Sequence, residues 1–196
     1  MIQFYKHNLN KNKNYLKNTL NSSYLTSGPV CEKVELLLCK KFKKKYSILT
    51  NSWTNGLISI LMSLNLKPKD EVIIPACTFV ACANVVEMVG AKIIFADIDP
   101  STKLMDLDDC LKKITKNTKA ILAVHMYSGI CNLKNLRKIC KKNNLFLIED
   151  CAESAGAKDQ NGNLTGTVGD ISCWSFQSAK QLTCGDGGML ATNKEI

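Results

Sequence analysis

From Tyr46 onward the chain repeats one unit: a short apolar run, a turn of polar or small residues, then a stretch with helical spacing of its apolar side chains. The apolar runs are Tyr46–Leu49, Glu71–Ile74, Lys92–Ala96, Ala120–Val124, Phe146–Ile148 and Ile171–Phe176. Between and before them lie the helical stretches Val30–Phe42, Asn51–Leu64, Thr78–Val89, Asp106–Ile114 and Leu133–Asn143. Neighbouring parallel strands can be joined only by a crossover long enough to hold a helix. Strands alternating with helices therefore predict an α/β fold, a mostly parallel sheet with helices on both faces.

Local signals agree with this frame. Ser27-Gly28-Pro29 announces the first large helix, with Pro in its first turn. Gly90 stops the helix that begins at Thr78-Phe79. The Asn- and Lys-rich segment 1–27 holds a short helical pattern near Asn12–Leu20 and reads as separate from a domain spanning 28–196. No G-x-G-x-x-G follows the first strand, which argues against a dinucleotide site.

Composition excludes several classes. The net charge of +9 would suit nucleic acid, but Arg137 is the one arginine, and arginine is favoured for bidentate phosphate and base recognition. The lysine runs read as a solvated surface, so no nucleic acid partner is expected. Ten cysteines form no C-x-x-C pair and cluster with no histidine. Neither a disulfide framework nor a metal site is expected, and a reducing compartment fits. Cys151 and Cys184 read as packing residues. The start of the chain is polar and lacks a signal-peptide apolar region, and no run nears the roughly 18 apolar residues of a membrane span. A soluble, cytoplasmic chain with no membrane partner is the expectation.

Two stretches carry chemistry. In Ser172–Thr192 a lysine, Lys180, lies in a run almost free of other charge, between a strand and the Gly-Asp-Gly-Gly turn at Gly185–Gly188. By spacing alone it could be one more surface lysine. A lysine in a less polar pocket loses its charge more easily, and the neutral amine can attack a carbonyl. In Phe146–Ala157 an apolar strand runs into Glu149-Asp150, and ligands bind at the carboxyl ends of strands in open α/β sheets. An acid there, a Ser-rich strand and a lysine suit a pyridoxal phosphate site. Asn51-Ser52-Trp53-Thr54, opening a helix after a strand, is either an ordinary N-cap or an anion site. Phe79 could equally be a core aromatic, and His125 reads as a polar strand-end residue, not a base.

Four segments, Asn51–Leu57, Pro75–Asn84, Glu149–Ala157 and Ser175–Met189, together resemble the DegT/DnrJ/StrS-type sugar aminotransferases, in that family's order and spacing. The resemblance runs from about Gly28 to the last residue. It implies the large domain of the PLP-transferase fold type I, in the aspartate aminotransferase superfamily, with the C-terminal small domain absent. It also implies pyridoxal 5'-phosphate as cofactor, an amino-acid donor such as glutamate, and a nucleotide-linked keto-sugar as acceptor.

Carried over residue by residue, Lys180 would hold the cofactor covalently and move the proton during turnover. Asp150 would keep the pyridine nitrogen protonated, and Phe79 would stack on the ring. Trp53 and Thr54 would offer backbone N–H groups to the phosphate, with hydroxyls from Thr54 and Ser175. Glu153 stands near the ring hydroxyl, where the family usually has Gln or His, and the family most often has Gly where Trp53 stands. Relatives with histidine at the lysine position perform dehydration, so Lys180 implies transamination. Family members are nearly twice as long and act as homodimers with shared sites. The chain is therefore expected to be an incomplete large domain, with open strand edges and exposed apolar faces. Three readings stay open: an aminotransferase piece completed elsewhere, an inactive remnant, or a non-catalytic cofactor- or sugar-binding protein.

Overall fold

The apolar run Glu71–Pro75 is buried along its whole length, as a strand covered on both faces must be. It sits inside the sheet of a computed structural model that describes residues 13–127 and 129–195. In chain order the elements are α1 (Lys13–Leu20), α2 (Pro29–Phe42), β1 (Tyr46–Thr50), α3 (Trp53–Ser63), β2 (Glu71–Pro75) and α4 (Ala81–Met88). There follow β3 (Lys92–Ala96), α5 (Leu107–Lys112), β4 (Thr118–Val124), α6 (Leu133–Asn143), β5 (Phe146–Asp150), β6 (Ile171–Ser175) and β7 (Gly188–Thr192).

The strands form one sheet in the order β1-β7-β6-β5-β4-β2-β3. The pairs β2–β3, β2–β4, β4–β5 and β5–β6 are parallel. Strand β7 pairs antiparallel with both β6 and β1. Side chains alternate across the sheet into two cores. Val72, Ile74, Ala120 and Leu122 pack with Leu57 and Ile60 of α3 and Val85 of α4. Ile73, Ile121 and Ala123 pack with Leu133, Leu136 and Ile139 of α6. Each buried aliphatic contributes about 1.5–3 kcal/mol relative to exposure. A third cluster seats Phe42 of α2 on Trp174 of β6, ring centroids 4.5 Å apart.

The expected α/β architecture is present, with three differences. Strand β7 was not legible, because its five residues follow a glycine turn and show no repeat of the strand–helix unit. Helix α4 begins at Ala81, not Thr78. The Thr78 hydroxyl contacts Cys82 Sγ at 3.1 Å, and no side chain caps the helix. Lys44 departs from the solvated lysines: it is buried and donates to the Gly169 carbonyl at 3.0 Å. The expected helix near Asn12–Leu20 is α1, with Asn12 outside the described residues.

The outer strands expose Ile48 and Phe95, and α2 exposes Val30, Leu36 and Leu37. Apolar surface of this kind favours burial by further protein. No helix among the described residues is long and apolar enough to cross a membrane.

Candidate active site

Because β2, β4, β5 and β6 run parallel, their carboxyl ends share one rim of the sheet. There β5 ends in Asp150, β6 in Ser175, β4 runs into His125, and β1 is followed by the start of α3. Trp53, Thr54, Phe79, Asp150, Glu153, Ser175 and Lys180 all line a single cleft of about 390 Å³ on this rim. A larger groove of about 680 Å³ runs between α2, β1 and β7. Much of its charge is committed to structural pairs: Glu35 accepts from Leu49 N–H, Lys45 pairs with Glu195, and Lys194 with Asp170. The chemistry converges in the smaller cleft.

The start of α3 is set by Ser52, whose Oγ accepts from the Asn55 N–H at 3.1 Å. That leaves the N–H groups of Trp53 and Thr54 without an acceptor among the described residues, as the first turn of a helix requires. The helix dipole adds positive potential there. Gly188, the first residue of β7, packs directly behind this turn. A Cβ on it would stand 2.6 Å from Ser52 C and Trp53 N. Gly188→Ala is therefore expected to push α3 outward and cost about 1–3 kcal/mol, seen as a lower urea midpoint. An unchanged midpoint would show that the helix start is free to shift.

Asp150 is buried, and its Oδ1 accepts from the Ala152 N–H at 2.9 Å. The Cys82 thiol lies 3.6 Å from Oδ2. Among the described residues no Lys or Arg pairs with it, and burial pushes its carboxyl up to about 6. Its neighbour Glu149 differs. Glu149 is also buried, which works against ionisation. The hydrogen bond with His125 and backbone N–H donors from Gly166 (2.7 Å), Val168 (2.8 Å) and Gly169 outweigh burial and hold its carboxyl below the usual range. Glu149 is thus a tie for the Gly166–Gly169 turn. Gly166 is required in that turn, with φ +86° and a notional Cβ only 2.0 Å from the Trp174 ring.

Lys180 is carried on a turn built by Gln177, whose carbonyl accepts from the Lys180 N–H and whose Oε1 accepts from the Ala179 N–H. Gln181 ties this turn to the Glu153 carbonyl at 2.7 Å. Lys180 Nζ lies 3.4 Å from Glu153 Oε1, the two side chains being 24% and 37% exposed. The pocket is therefore less apolar than the uncharged sequence run suggests: its counter-charge comes from a distant segment. Ser175 is buried and accepts from the Gln177 N–H at 3.3 Å.

Phe79 is not a core residue; it is 63% exposed at the cleft mouth. The Trp53 side chain, by contrast, is 6% exposed, with its ring 6.3 Å from that of Phe79 at 63°. His125 lines the cleft with both ring nitrogens engaged: Nδ1 accepts from the Cys131 N–H at 3.2 Å and Nε2 faces Glu149 at 3.4 Å. Together with Cys151 these side chains bring ligand atoms within 4.8 Å of one another. However, the Glu149 oxygens are taken by backbone donors, and burial pushes the Cys151 thiol up to about 12. Cys151 is a packing residue, but Cys184 is exposed, its thiol donating to the Asp186 carbonyl at 3.0 Å. Ser52, Gln177 and Asp186 also line the cleft. Ser52 adjoins Trp53 in sequence, but Gln177 lies two residues from Ser175 and Asp186 six from Lys180, and spacing alone gives neither a direction toward the cleft.

The chain is 36% identical over 198 residues to GDP-perosamine synthase of Vibrio cholerae, covering 100% of this chain and 54% of that protein. Among solved structures, NtdA of Bacillus subtilis with bound PMP superposes with a TM-score of 0.86 at 36% identity, over 93% of this chain and 41% of that one. The Escherichia coli GDP-4-keto-6-deoxy-D-mannose-3-dehydratase with bound hydrated PLP gives 0.88 at 27%, over 93% and 48%. The chain thus spans about half the length of the curated relatives it matches. The sequence model of the DegT/DnrJ/EryC1/StrS aminotransferase family matches residues 7–196, and the chain belongs to that family.

Proposed function

We propose that this chain forms the cofactor-binding large domain of a pyridoxal phosphate-dependent aminotransferase that aminates a nucleotide-linked keto-sugar, with glutamate as donor. The observation that carries the reading is the meeting of Lys180, the buried Asp150 and the free N–H groups at the start of α3 in one cleft. The donor set suits the cofactor: two open N–H groups for a phosphate, a reachable amine for an aldehyde, and an unpaired buried carboxylate for a ring nitrogen. When bound, pyridoxal phosphate supplies an aldehyde that takes up amino groups and a protonated ring that draws electrons from them.

The chain's own residues then divide the work. Trp53 and Thr54 N–H groups, with the Thr54 and Ser175 hydroxyls, bind the phosphate. Asp150 holds the proton at the ring nitrogen, where a positive charge would in turn favour its ionised form. Phe79 covers one ring face. The Lys180 amine holds the cofactor, then takes and returns the proton at the substrate carbon. Glu153 stands beside the amine and would face the ring hydroxyl. Lysine at position 180 favours amination over dehydration. The names of the relatives, GDP-perosamine synthase and a GDP-keto-sugar dehydratase, support a nucleotide-bound sugar acceptor. The cytoplasm, a homodimer with a shared cleft and completion of segment 28–196 by further protein belong to the same reading.

With the chain completed by that further protein, incubation with pyridoxal phosphate, glutamate and a GDP-linked 4-keto-6-deoxy sugar is expected to give an aminated nucleotide sugar and 2-oxoglutarate by mass spectrometry. A dehydrated sugar in place of the amine would contradict the assignment.

A further inference from the structure

Cys82 differs from the other cysteines. Among the described residues it is the one whose thiol donates to a side-chain carboxylate, Asp150 Oδ2 at 3.6 Å. The Thr78 hydroxyl lies 3.1 Å from the same sulfur. An ionised carboxylate only accepts, so with Asp150 charged the S–H points to it and the Thr78 hydroxyl donates to the sulfur. The Cys82 N–H, in turn, donates to the Phe79 carbonyl at 2.9 Å. One residue thus bridges the turn that carries Phe79 and the carboxylate at the end of β5. Cys82 is fully buried with Val85 and Val86, and burial pushes its thiol well above the ordinary range, so it remains a donor. Asp150 Oδ1 is already taken by the Ala152 N–H. A carboxylate held at one oxygen can still turn, and the thiol supplies the second hold.

We propose that Cys82 is a positioning residue for the ring subsite: its S–H fixes the orientation of the Asp150 carboxylate, and its backbone N–H fixes the Phe79 turn beside it. The choice of sulfur matters. A thiol is a weak donor, and each carboxylate oxygen can accept a second hydrogen bond. Oδ2 is therefore oriented without being neutralised, and stays open to a stronger donor from the cleft. The other titratable groups around Asp150 are His125 after β4, Glu149 and Cys151 beside it, and Cys173 on β6, with Lys180 and Glu153 on the cleft wall. The use of the subsite rests on the pyridoxal phosphate reading, but the contact between thiol and carboxylate is tested without cofactor.

The test follows the Asp150 carboxyl carbon by NMR in the aspartate-labelled, cofactor-free chain, with Asp150→Asn identifying its signal. Wild type should titrate near pH 6. Cys82→Ala loses a donor to the charged form, so its midpoint should rise by at least about half a pH unit. Cys82→Ser keeps a donor and should titrate at or below the wild-type value. A packing role would lower the unfolding midpoint of the alanine variant and leave the titration where it was. Infrared spectra of wild type give a second readout: one S–H stretch should move to lower frequency as pH rises through the Asp150 titration, and be absent from Cys82→Ser. A Cys82→Ala midpoint equal to wild type would overturn the inference and leave the cofactor reading standing. Absence of cofactor labelling on Lys180 would overturn that reading and leave the titration result untouched. Should neither variant fold, the infrared result decides alone: S–H bands that ignore pH across that range overturn the proposal.

Discussion

Asp150→Asn is expected to stabilise the cofactor-free chain at pH 7 by about 3 kcal/mol while disabling its chemistry. Burial raises the Asp150 carboxyl from 3.8 to about 6, a difference of about two pH units at about 1.36 kcal/mol each. Because the folded value lies above the unfolded one, the folded chain binds more protons between the two. Ionised Asp150 therefore destabilises the fold above pH 6. That penalty fades as pH falls through 6 and is gone below about 4. Asparagine fills the same space without the charge. Urea midpoints of both proteins at pH 7 and pH 4 check this: the variant should be ahead at pH 7 and level at pH 4. A gap of the same size at both values would show that the charge is not the cause. With cofactor present the variant cannot hold the ring-nitrogen proton, and turnover should fall about 10²–10³-fold, as for other single electrostatic groups.

Lys180→Ala is expected to remove turnover altogether, by about 10⁴-fold or more, since one amine serves as both covalent anchor and proton carrier. Its effect on stability should be small. The Lys180 side chain is about a quarter exposed and makes a single 3.4 Å contact to a more exposed Glu153, a pair worth about 0–1 kcal/mol. The turn that carries it is built by Gln177 and Gln181, not by the lysine. Circular dichroism and the urea midpoint should match wild type while product formation disappears. Undiminished turnover would remove Lys180 from the mechanism.

These two residues show how far the sequence could be read. Asp150 was legible because an apolar strand ending in an acid is a local pattern, and a parallel sheet dictates where strand ends lie. Lys180 was legible as an uncharged-context lysine, but its counter-charge, Glu153, comes from 27 residues away and only the fold brings it near. Phe79 looked like the first turn of a helix. It stands instead in the turn before α4, exposed at the cleft, and no side chain caps that helix. The direction of the Trp53 side chain was not legible at all. At the first position of a helix a side chain can point to solvent or inward, and nothing in the spacing of apolar residues distinguishes the two. Strand β7 was hidden for a related reason: its pairing is long-range on both sides, to β1 and β6, with no local repeat to announce it.

The central claim, that this cleft takes an aldehyde cofactor on Lys180, is tested most directly by trapping. The purified chain is mixed with pyridoxal phosphate, reduced with borohydride and digested, and the labelled peptide is located by mass spectrometry beside Lys180→Ala. Arg137 is the one arginine among 26 basic residues, so 25 lysines compete for the label. The account predicts saturable labelling of Lys180 at low cofactor concentration, absent from the variant. Labelling spread over surface lysines, equal in both proteins and with none on Lys180, would contradict it.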